Sequence, residues 1–294
     1  MAALTAHRDL GCLSESIADY PEGIILPVDK PYRWTSADVI RKVKFAAIRH
    51  FHKKNLKVGH AGTLDPLATG VLLVCIGPAT RQAEELQRHD KEYVAGISFG
   101  ATTPSYDLEK EIDRMYPYDQ VTEEAVKAVL PSFLGEQEQV APLFSAKSVD
   151  GVRAYELARR AFKEAARTGE TFDHADADLL SRQRIRIDEI ELLDFRPGRS
   201  FAFAPDDKET TQDEKGASSR INVTDNSALG LPHADIRIAC TKGTYIRAFA
   251  RDLGEALGTG AHLDALCRTR TGGFRLEDAL TLEQALQLLQ APSC

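Results

Sequence analysis

A short glycine-rich segment carries the residues best suited to chemistry, Gly59-His60-Ala61-Gly62-Thr63-Leu64-Asp65-Pro66. Its glycines allow positive φ or the close approach of a ligand, and Pro66 biases Asp65 away from a helical conformation. An aspartate held in this way can present its carboxylate to a cleft. The same pattern is also typical of a turn residue that satisfies nearby amides, so this segment alone leaves both interpretations open.

A second segment, Thr241-Lys242-Gly243-Thr244-Tyr245-Ile246-Arg247, lies between a predicted strand and a predicted helix. Arg247 could pair with a carboxylate, and Tyr245 could stack on a base or form a hydrogen bond with it. Arg247 could equally be an ordinary surface arginine. Tyr93 falls on the apolar side of a predicted strand, where an aromatic residue more often belongs to the core.

The chain lacks the sequence signatures of a bound metal or cofactor. His60 has no second His, Cys or Glu at HExxH or similar spacing, and no GxGxxG or Walker-type phosphate loop occurs. The five cysteines are scattered without a CxxC pair, which argues against a disulfide framework and a cysteine zinc site. We therefore expect no metal, no cofactor and a reducing, cytoplasmic location.

The charge of the chain is unevenly distributed. Its formal net charge is −7, which by itself disfavours a nucleic-acid partner. A run without any acidic residue nevertheless extends from Arg41 to Lys57. Such a run is typical of either a solvated helix face or a phosphate-binding surface. Its cationic residues are Arg41, Lys42, Lys44, Arg49, Lys53, Lys54 and Lys57.

Hydrophobic periodicity predicts a mixture of strands and helices. Gly23–Pro31 is typical of a short apolar strand, and Val71–Gly77 is continuous enough for a strand buried on both faces. Between them, Thr35 and Asp38 have the spacing of a capping box at the start of a helix. Further strands are predicted at Lys91–Gly100, Gln183–Phe195 and Ala234–Cys240, and further helices at Glu123–Phe133, Arg153–Arg167, Ile246–Leu257 and Leu282–Leu289.

These elements predict an α+β, mixed α/β domain at residues 23–294, preceded by an N-terminal tail at residues 1–22. Between residues 197 and 232 the composition becomes polar, with few large apolar side chains. This segment is too long for an ordinary loop, so we expect a disordered insertion between two neighbouring strands. No stretch approaches the ~18 apolar residues of a membrane-spanning helix.

Several blocks of sequence occur in an order that resembles a known family. Ile25-Leu26-Pro27-Val28-Asp29-Lys30-Pro31 is followed by Thr35-Ser36 and by GHAGTLDPLATGVLLVCIGPATR. The remaining blocks are Lys91-Glu92-Tyr93, Ser145-Ala146-Lys147 with Tyr155, and KGTYIR. Together they are similar to the TruB family of tRNA pseudouridine(55) synthases, from about Gly23 to Gln290.

The resemblance implies an isomerase that converts uridine 55 in the T-loop of tRNA to pseudouridine without metal or organic cofactor. Asp65 matches the catalytic aspartate of the family, and Arg247 matches the arginine that pairs with it. Tyr93 matches the active-site tyrosine, which stacks on the target base and is implicated in proton removal at carbon 5.

Other matching positions imply contacts with the substrate. Tyr245 corresponds to a second residue that contacts the base, and Leu266 to an apolar residue that packs against the uracil. His60 corresponds to a residue that fills the space left when the base is extruded. Lys30, in the first block, is expected to contribute to substrate binding. The basic residues between Arg41 and Lys57 would contact phosphates.

The fold implied by the resemblance is a mixed central β-sheet flanked by helices around a central catalytic cleft. In the family a small RNA-binding domain of the PUA type often follows it, and we expect no such C-terminal domain here. The implied partner is tRNA, through its T-loop and T-arm, with no membrane and no obligate protein partner. Two alternatives remain at this level: a synthase acting on another RNA, and an inactive module that binds or folds RNA.

Overall fold

The computed structural model describes residues 3–6, 11–142, 148–149, 152–153, 182–197, 221 and 223–290. These residues divide into two compact units. The first unit contains the described residues up to Tyr93, Ile221, and those from Leu266 onward. The second contains the other described residues from Val94 to Ala265.

Two long strands form the centre of the first unit. Strands β2 (Ile24–Lys30) and β4 (Ala68–Ile76) pair antiparallel along their whole shared length. Both are nearly continuous apolar runs, and their side chains are buried almost throughout. Strands β1 (Leu4–Thr5) and β15 (Leu280–Thr281) pair parallel with β2. Strand β3 (Val58–Ala61) pairs antiparallel with β4, and the end of β13 (Ala261–Thr271) pairs parallel with β4. Strand β14 (Phe274–Arg275) pairs antiparallel with β13.

Helix α1 (Ser36–His50) precedes the glycine-rich segment and packs against β3 and β4. The Thr35 hydroxyl accepts a hydrogen bond from the Asp38 amide at 3.0 Å, and the Asp38 carboxylate accepts one from the Thr35 amide at 3.1 Å. This confirms the predicted capping box, which satisfies two amides at the helix N-terminus. The unit also contains helices α2 (Ala83–Arg88) and α5 (Leu282–Leu288).

A sheet also forms the centre of the second unit. Its strands follow the order β13, β5 (Lys91–Phe99), β12 (His233–Cys240), β11 (Arg182–Arg196) and β8 (Gly135–Val140). The long strand β11 pairs antiparallel with both of its neighbours. The unit also contains helices α3 (Glu123–Val129) and α4 (Ile246–Ala256). Two pairs of short antiparallel strands complete it: β6 (Ala101–Thr102) with β7 (Arg114–Met115), and β9 (Ser148–Val149) with β10 (Val152–Arg153).

Most of the predicted elements are present. Strands β2, β4, β5, β11 and β12 and helices α1, α3, α4 and α5 confirm the periodicity analysis, as does the pairing of β11 with β12. The mixed sheet with its helices confirms the predicted α+β fold class. The predicted helix Arg153–Arg167 lies outside the described residues except for Arg153. None of the described helices is long and apolar enough to cross a membrane.

Two strands and the N-terminal segment differ from the predictions. Strand β3 covers the start of the glycine-rich segment, where no strand is predicted, and β13 has no predicted counterpart either. The buried polar residues His262 and Arg268 interrupt the apolar pattern of β13, which explains the missed strand. The predicted tail contributes β1, and Leu13 within it is only 1% exposed.

The predicted insertion at residues 197–232 lies largely outside the described residues. Its last part, however, belongs to the second unit and is packed within it. The Thr224 amide donates to the Leu108 carbonyl at 2.8 Å, and Asn226 and Leu231 are buried. The prediction of disorder is therefore wrong for this end of the segment, because a few apolar and amide side chains anchor it.

The described cysteines only partly match the expectation of free thiols. Cys75, Cys240 and Cys267 are free and buried. Cys12 is disulfide-bonded, which the scattered cysteine spacing does not predict.

Candidate active site

Asp65 lies in the loop between β3 and β4, where two strands of the first unit end close together. The Asp65 carbonyl accepts a hydrogen bond from the Ala68 amide at 3.1 Å, which closes a turn. Gly62 has φ 89°, a conformation that glycine adopts without steric cost. Asp65 itself is partly exposed.

Ser36, the first residue of α1, ties the helix to the Asp65 loop. Its hydroxyl donates to the Leu64 carbonyl at 3.1 Å and accepts from the Leu64 amide at 3.0 Å. Ser36 is 3% exposed, so water does not compete for these bonds. The residue before Asp65 is thus held by both of its backbone polar groups.

Lys30, at the end of β2, holds the other side of the loop. Its Nζ donates to the carbonyls of Pro31 at 2.9 Å, Trp34 at 2.5 Å and Pro66 at 3.1 Å. Burial lowers the pKa of Lys30 to about 7, against the opposing attraction of Asp65 and Asp29.

The ammonium form of Lys30 has three N–H groups, which match these three carbonyl acceptors. The side chain is completely buried. Lys30 therefore positions the segment around Asp65, and its contribution to substrate binding stays a prediction.

Arg268, on β13, is a third anchor of the loop. Its Nε donates to the Val71 carbonyl at 2.8 Å, Nη2 to the Gly62 carbonyl at 3.1 Å and Nη1 to the Thr63 carbonyl at 3.4 Å. A side chain at Gly70 would place its Cβ 2.2 Å from the Arg268 carbonyl oxygen, so glycine is required there. Arg268 is not predicted from the sequence, because a single arginine in a strand has no local signature.

The remaining candidate residues of the first unit surround these anchors. His60 is partly buried. Burial is the main cause that lowers the pKa of His60, and the positive charge of Arg268 is the second, so the imidazole is neutral at pH 7. Leu266 pairs with Ala68 across β13 and β4 and is partly exposed. Tyr93, on β5, is 8% exposed.

Tyr245 and Arg247 lie in the second unit, at the start of α4, where Tyr245 is the N-cap residue. The Gln139 side-chain amide forms two hydrogen bonds with the Tyr245 backbone. Its Nε2 donates to the Tyr245 carbonyl at 3.1 Å, and its Oε1 accepts from the Tyr245 amide at 2.9 Å. Gln139 is 3% exposed, so it fixes the segment that carries both candidate residues.

Arg247 is buried against a loop that the sequence analysis did not single out. Its Nη1 donates to the Ser105 carbonyl at 3.2 Å, and its Nε lies 3.8 Å from the Asp107 carboxylate. Asp107 also accepts hydrogen bonds from the Ser105 hydroxyl at 2.5 Å and the Glu109 amide at 3.0 Å. The cluster of small polar residues in TTPSYDLE was the available signal, although such clusters usually form surface loops.

The structure places the predicted residues in two groups. Asp65, Lys30 and His60 belong to the first unit with Tyr93 and Leu266, whereas Tyr245 and Arg247 belong to the second. The pairing of Asp65 with Arg247 therefore stays a prediction. Of the other matching positions, Ser145, Ala146, Lys147 and Tyr155 lie outside the described residues.

The predicted basic residues are exposed on α1 and on the segment that follows it. Lys44, Lys54 and Lys57 line a cavity of about 500 Å³ together with Thr80. The cavity reaches Gly59, in the strand that leads to the Asp65 loop. Within the described part of the chain, no group of three or more His, Cys, Asp or Glu side chains is arranged to hold a metal ion.

Comparison with known proteins identifies the class to which this fold and these residues belong. Residues 49–203 match the model of the TruB family pseudouridylate synthase N-terminal domain, and residues 247–291 match that of the tRNA pseudouridylate synthase B C-terminal domain. Both matches describe pseudouridine synthases. The chain belongs to the TruB family, which confirms the resemblance and the predicted reaction class, isomerisation of uridine to pseudouridine.

Close relatives cover nearly the whole chain. A protein named tRNA pseudouridine synthase B from Phocaeicola vulgatus is 46% identical over 265 residues, which are 90% of this chain and 92% of the relative. A protein of the same name from Bacteroides thetaiotaomicron is 48% identical over 265 residues, with the same coverage.

Solved structures show the same fold in larger chains. A chain of a Cbf5-Nop10-Gar1 complex superposes with a TM-score of 0.57 at 25% identity, covering 97% of this chain. A chain of an H/ACA RNP bound to a substrate RNA superposes with a TM-score of 0.53 at 23% identity, covering 90% of this chain. The present chain spans 60% and 53% of the lengths of those chains.

Proposed function

We propose that this protein is a tRNA pseudouridine synthase that isomerises uridine 55 in the T-loop, with Asp65 as the reacting carboxylate and without a cofactor. The observation that carries the proposal is the fixation of the Asp65 loop. Ser36, Lys30 and Arg268 hold it from three different elements, and Asp65 is partly exposed. The names of the close relatives support tRNA as the substrate.

The reaction rearranges bonds without a net change of oxidation state. The bond from ribose carbon 1′ to uracil N1 breaks, the uracil turns, and carbon 5 joins carbon 1′. One proton leaves carbon 5 and one is added at N1, so no redox cofactor is needed. Asp65 assists bond breaking by attack on the ribose or the uracil, or by helping to form a glycal.

The other candidate residues receive roles around this carboxylate. Arg247, oriented by Ser105 and Asp107, is assigned as the partner of the Asp65 carboxylate. Tyr93 stacks on the base and takes part in proton removal at carbon 5, while Tyr245 and Leu266 contact the uracil.

The base must leave the T-loop stack to react, which costs a few kcal/mol. His60, neutral at pH 7, fills the vacated space without burying a charge. The basic residues of α1 and the following segment bind phosphates and offset part of this cost. An enzyme that acts on tRNA in this way belongs in the cytoplasm.

The test is to map pseudouridine by mass spectrometry after incubating the protein with unmodified tRNA. Pseudouridine at position 55 is expected, and a matched transcript with cytidine at position 55 should yield none. Pseudouridine at another position would redirect the proposal to a different target. Tight binding without any pseudouridine would favour the RNA-binding module instead.

A further inference from the structure

Helix α1 presents an exposed aromatic ring on its solvent side. Phe45 is 64% exposed, more than any other large apolar side chain of the described residues. It lies apart from the buried face of α1, which is formed by Val39, Val43, Ala46 and Ala47. Packing of the helix therefore does not account for Phe45.

Arginine and lysine side chains lie against the aromatic rings of this surface. The guanidinium carbon of Arg49, one helical turn after Phe45, lies 5.2 Å from the centroid of the Phe45 ring. The Lys42 amine lies 5.9 Å from the ring centroid of Trp34 in the same way. A guanidinium next to an exposed ring adds a second planar, cationic surface to it.

The positive charge around Phe45 favours a negatively charged partner. No acidic residue occurs between Arg41 and Lys57, and the exposed neighbours of Phe45 on α1 are Arg41, Lys42, Lys44 and Arg49. Such a surface attracts a polyanion. Aromatic rings within a cationic groove are the elements on which unpaired bases of nucleic acids stack.

We propose that Phe45 and Arg49 form a stacking platform for an unpaired base of the RNA substrate, distinct from the uridine that is isomerised. The proposal rests on the proposed function only in taking RNA as the substrate. Phe45 follows Ser36 by nine residues, which corresponds to about 13 Å along the helix at 1.5 Å per residue. Ser36 contacts the Asp65 loop, so Phe45 lies away from the loop along α1 and would stack on a nucleotide other than the reacting one.

The test combines substitutions in the protein with single abasic sites in tRNA. Phe45→Ala should weaken tRNA binding about 5- to 150-fold, the range found when one stacked base is lost. Phe45→Trp should retain affinity. The salt dependence of binding should stay unchanged in both variants, because no phosphate contact is removed. Leu134→Ala, at a 46% exposed residue of the second unit, is the matched control and should bind as the wild type does.

The abasic scan locates the stacked base. Removing one unpaired base of the T-loop or D-loop should weaken binding to the wild-type protein as much as Phe45→Ala does, and should weaken binding to Phe45→Ala no further. Affinity of Phe45→Ala within twofold of wild type, or additive losses at every abasic site, would overturn the platform. Turnover at saturating tRNA is measured separately: its absence in the wild-type protein counts against the proposed function and leaves the binding test intact.

Discussion

Lys30 and Arg268 each donate to three backbone carbonyls, and neither side chain is more than 1% exposed. A buried carbonyl without a donor costs about 1–3 kcal/mol. Truncating either side chain would therefore affect several carbonyls around Asp65 at once. These two residues secure the geometry of the loop more strongly than its glycines, which only permit the conformation.

Gln139 provides the sharpest test of how Tyr245 and Arg247 are positioned. Gln139→Met removes both hydrogen bonds to the Tyr245 backbone while keeping a side chain of similar size. We expect the turnover number to fall about tenfold or more, because a displacement of about 1 Å at a reacting group has effects of this order.

Gln137→Met is the matched control for this substitution. Gln137 lies on the same strand but donates to the Phe133 carbonyl at 2.6 Å. Gln137 is only partly buried and makes this single hydrogen bond, so the variant should lose less stability in thermal melting than Gln139→Met while keeping wild-type turnover. Equal losses of turnover in the two variants would show that Gln139 acts only through stability.

At the scale of elements, local signals predicted more than distant contacts did. The capping box of Thr35 and Asp38 depends on four consecutive residues and is present as predicted. In contrast, Arg268 contacts carbonyls about 200 positions earlier in the chain. No local pattern encodes such a contact, and the polar residues that form it also hid β13. The resemblance located Asp65, and its blocks include Lys30 and Ser36, but they do not include Arg268.

The polar insertion should be dispensable for chemistry up to Ile221. Replacing residues 198–220 with Gly-Asn leaves the pairing of Arg196 with His233 and the packed residues after 222 in place. Loop length changes stability by only ~0.6 kcal/mol per doubling, so folding and turnover should stay near wild type.

A longer deletion supplies the comparison. Removing residues 198–230 also removes the Thr224 contact with Leu108 and the buried Asn226. We expect this variant to melt at a lower temperature. A folded 198–220 variant with severely reduced turnover would instead assign the removed segment to the substrate site.

At the scale of the whole molecule, we propose that this acidic protein binds tRNA through the basic run between Arg41 and Lys57. Replacing Lys53, Lys54 and Lys57 with Gln should weaken tRNA binding and reduce its dependence on salt. The log–log slope should decrease by up to about 0.7–0.9 for each lost phosphate contact. Arg88, Arg114 and Lys127 replaced together give the same change in net charge at other exposed sites. A slope equal to that of this control would make the basic run a solvated surface only.

Stability should depend on pH through His233, which is completely buried between Asp235 and Asp264 in a cluster with Ser98 and Arg196. Burial lowers the pKa of His233, but the hydrogen bonds and charges of the two aspartates outweigh it and raise the pKa to about 9. The stabilisation is fully present below pH 6.5 and is lost as the pH rises through about 9. At 1.36 kcal/mol per pKa unit, it amounts to about 3 kcal/mol at most.

Urea denaturation between pH 6 and pH 9.5 measures this contribution. The free energy of unfolding of wild type relative to His233→Gln should decrease across this range. The two proteins are compared because Lys30 has a lowered pKa in the folded state, which makes the free energy of unfolding increase with pH. This opposite trend is present in both proteins and cancels in the difference. His52→Gln, at a 76% exposed histidine, is the control. Parallel pH profiles of wild type and His233→Gln would contradict the assignment.

Single-turnover formation of pseudouridine at position 55 by Asp65→Asn tests most directly whether Asp65 is the reacting carboxylate. The substitution keeps the size of the side chain and removes the carboxylate, so no product should be detected while tRNA affinity stays within about tenfold of wild type. Asp119→Asn, at an exposed residue of the second unit, should react at the wild-type rate. Product formation by Asp65→Asn near the wild-type rate would contradict the role of Asp65 as the reacting carboxylate.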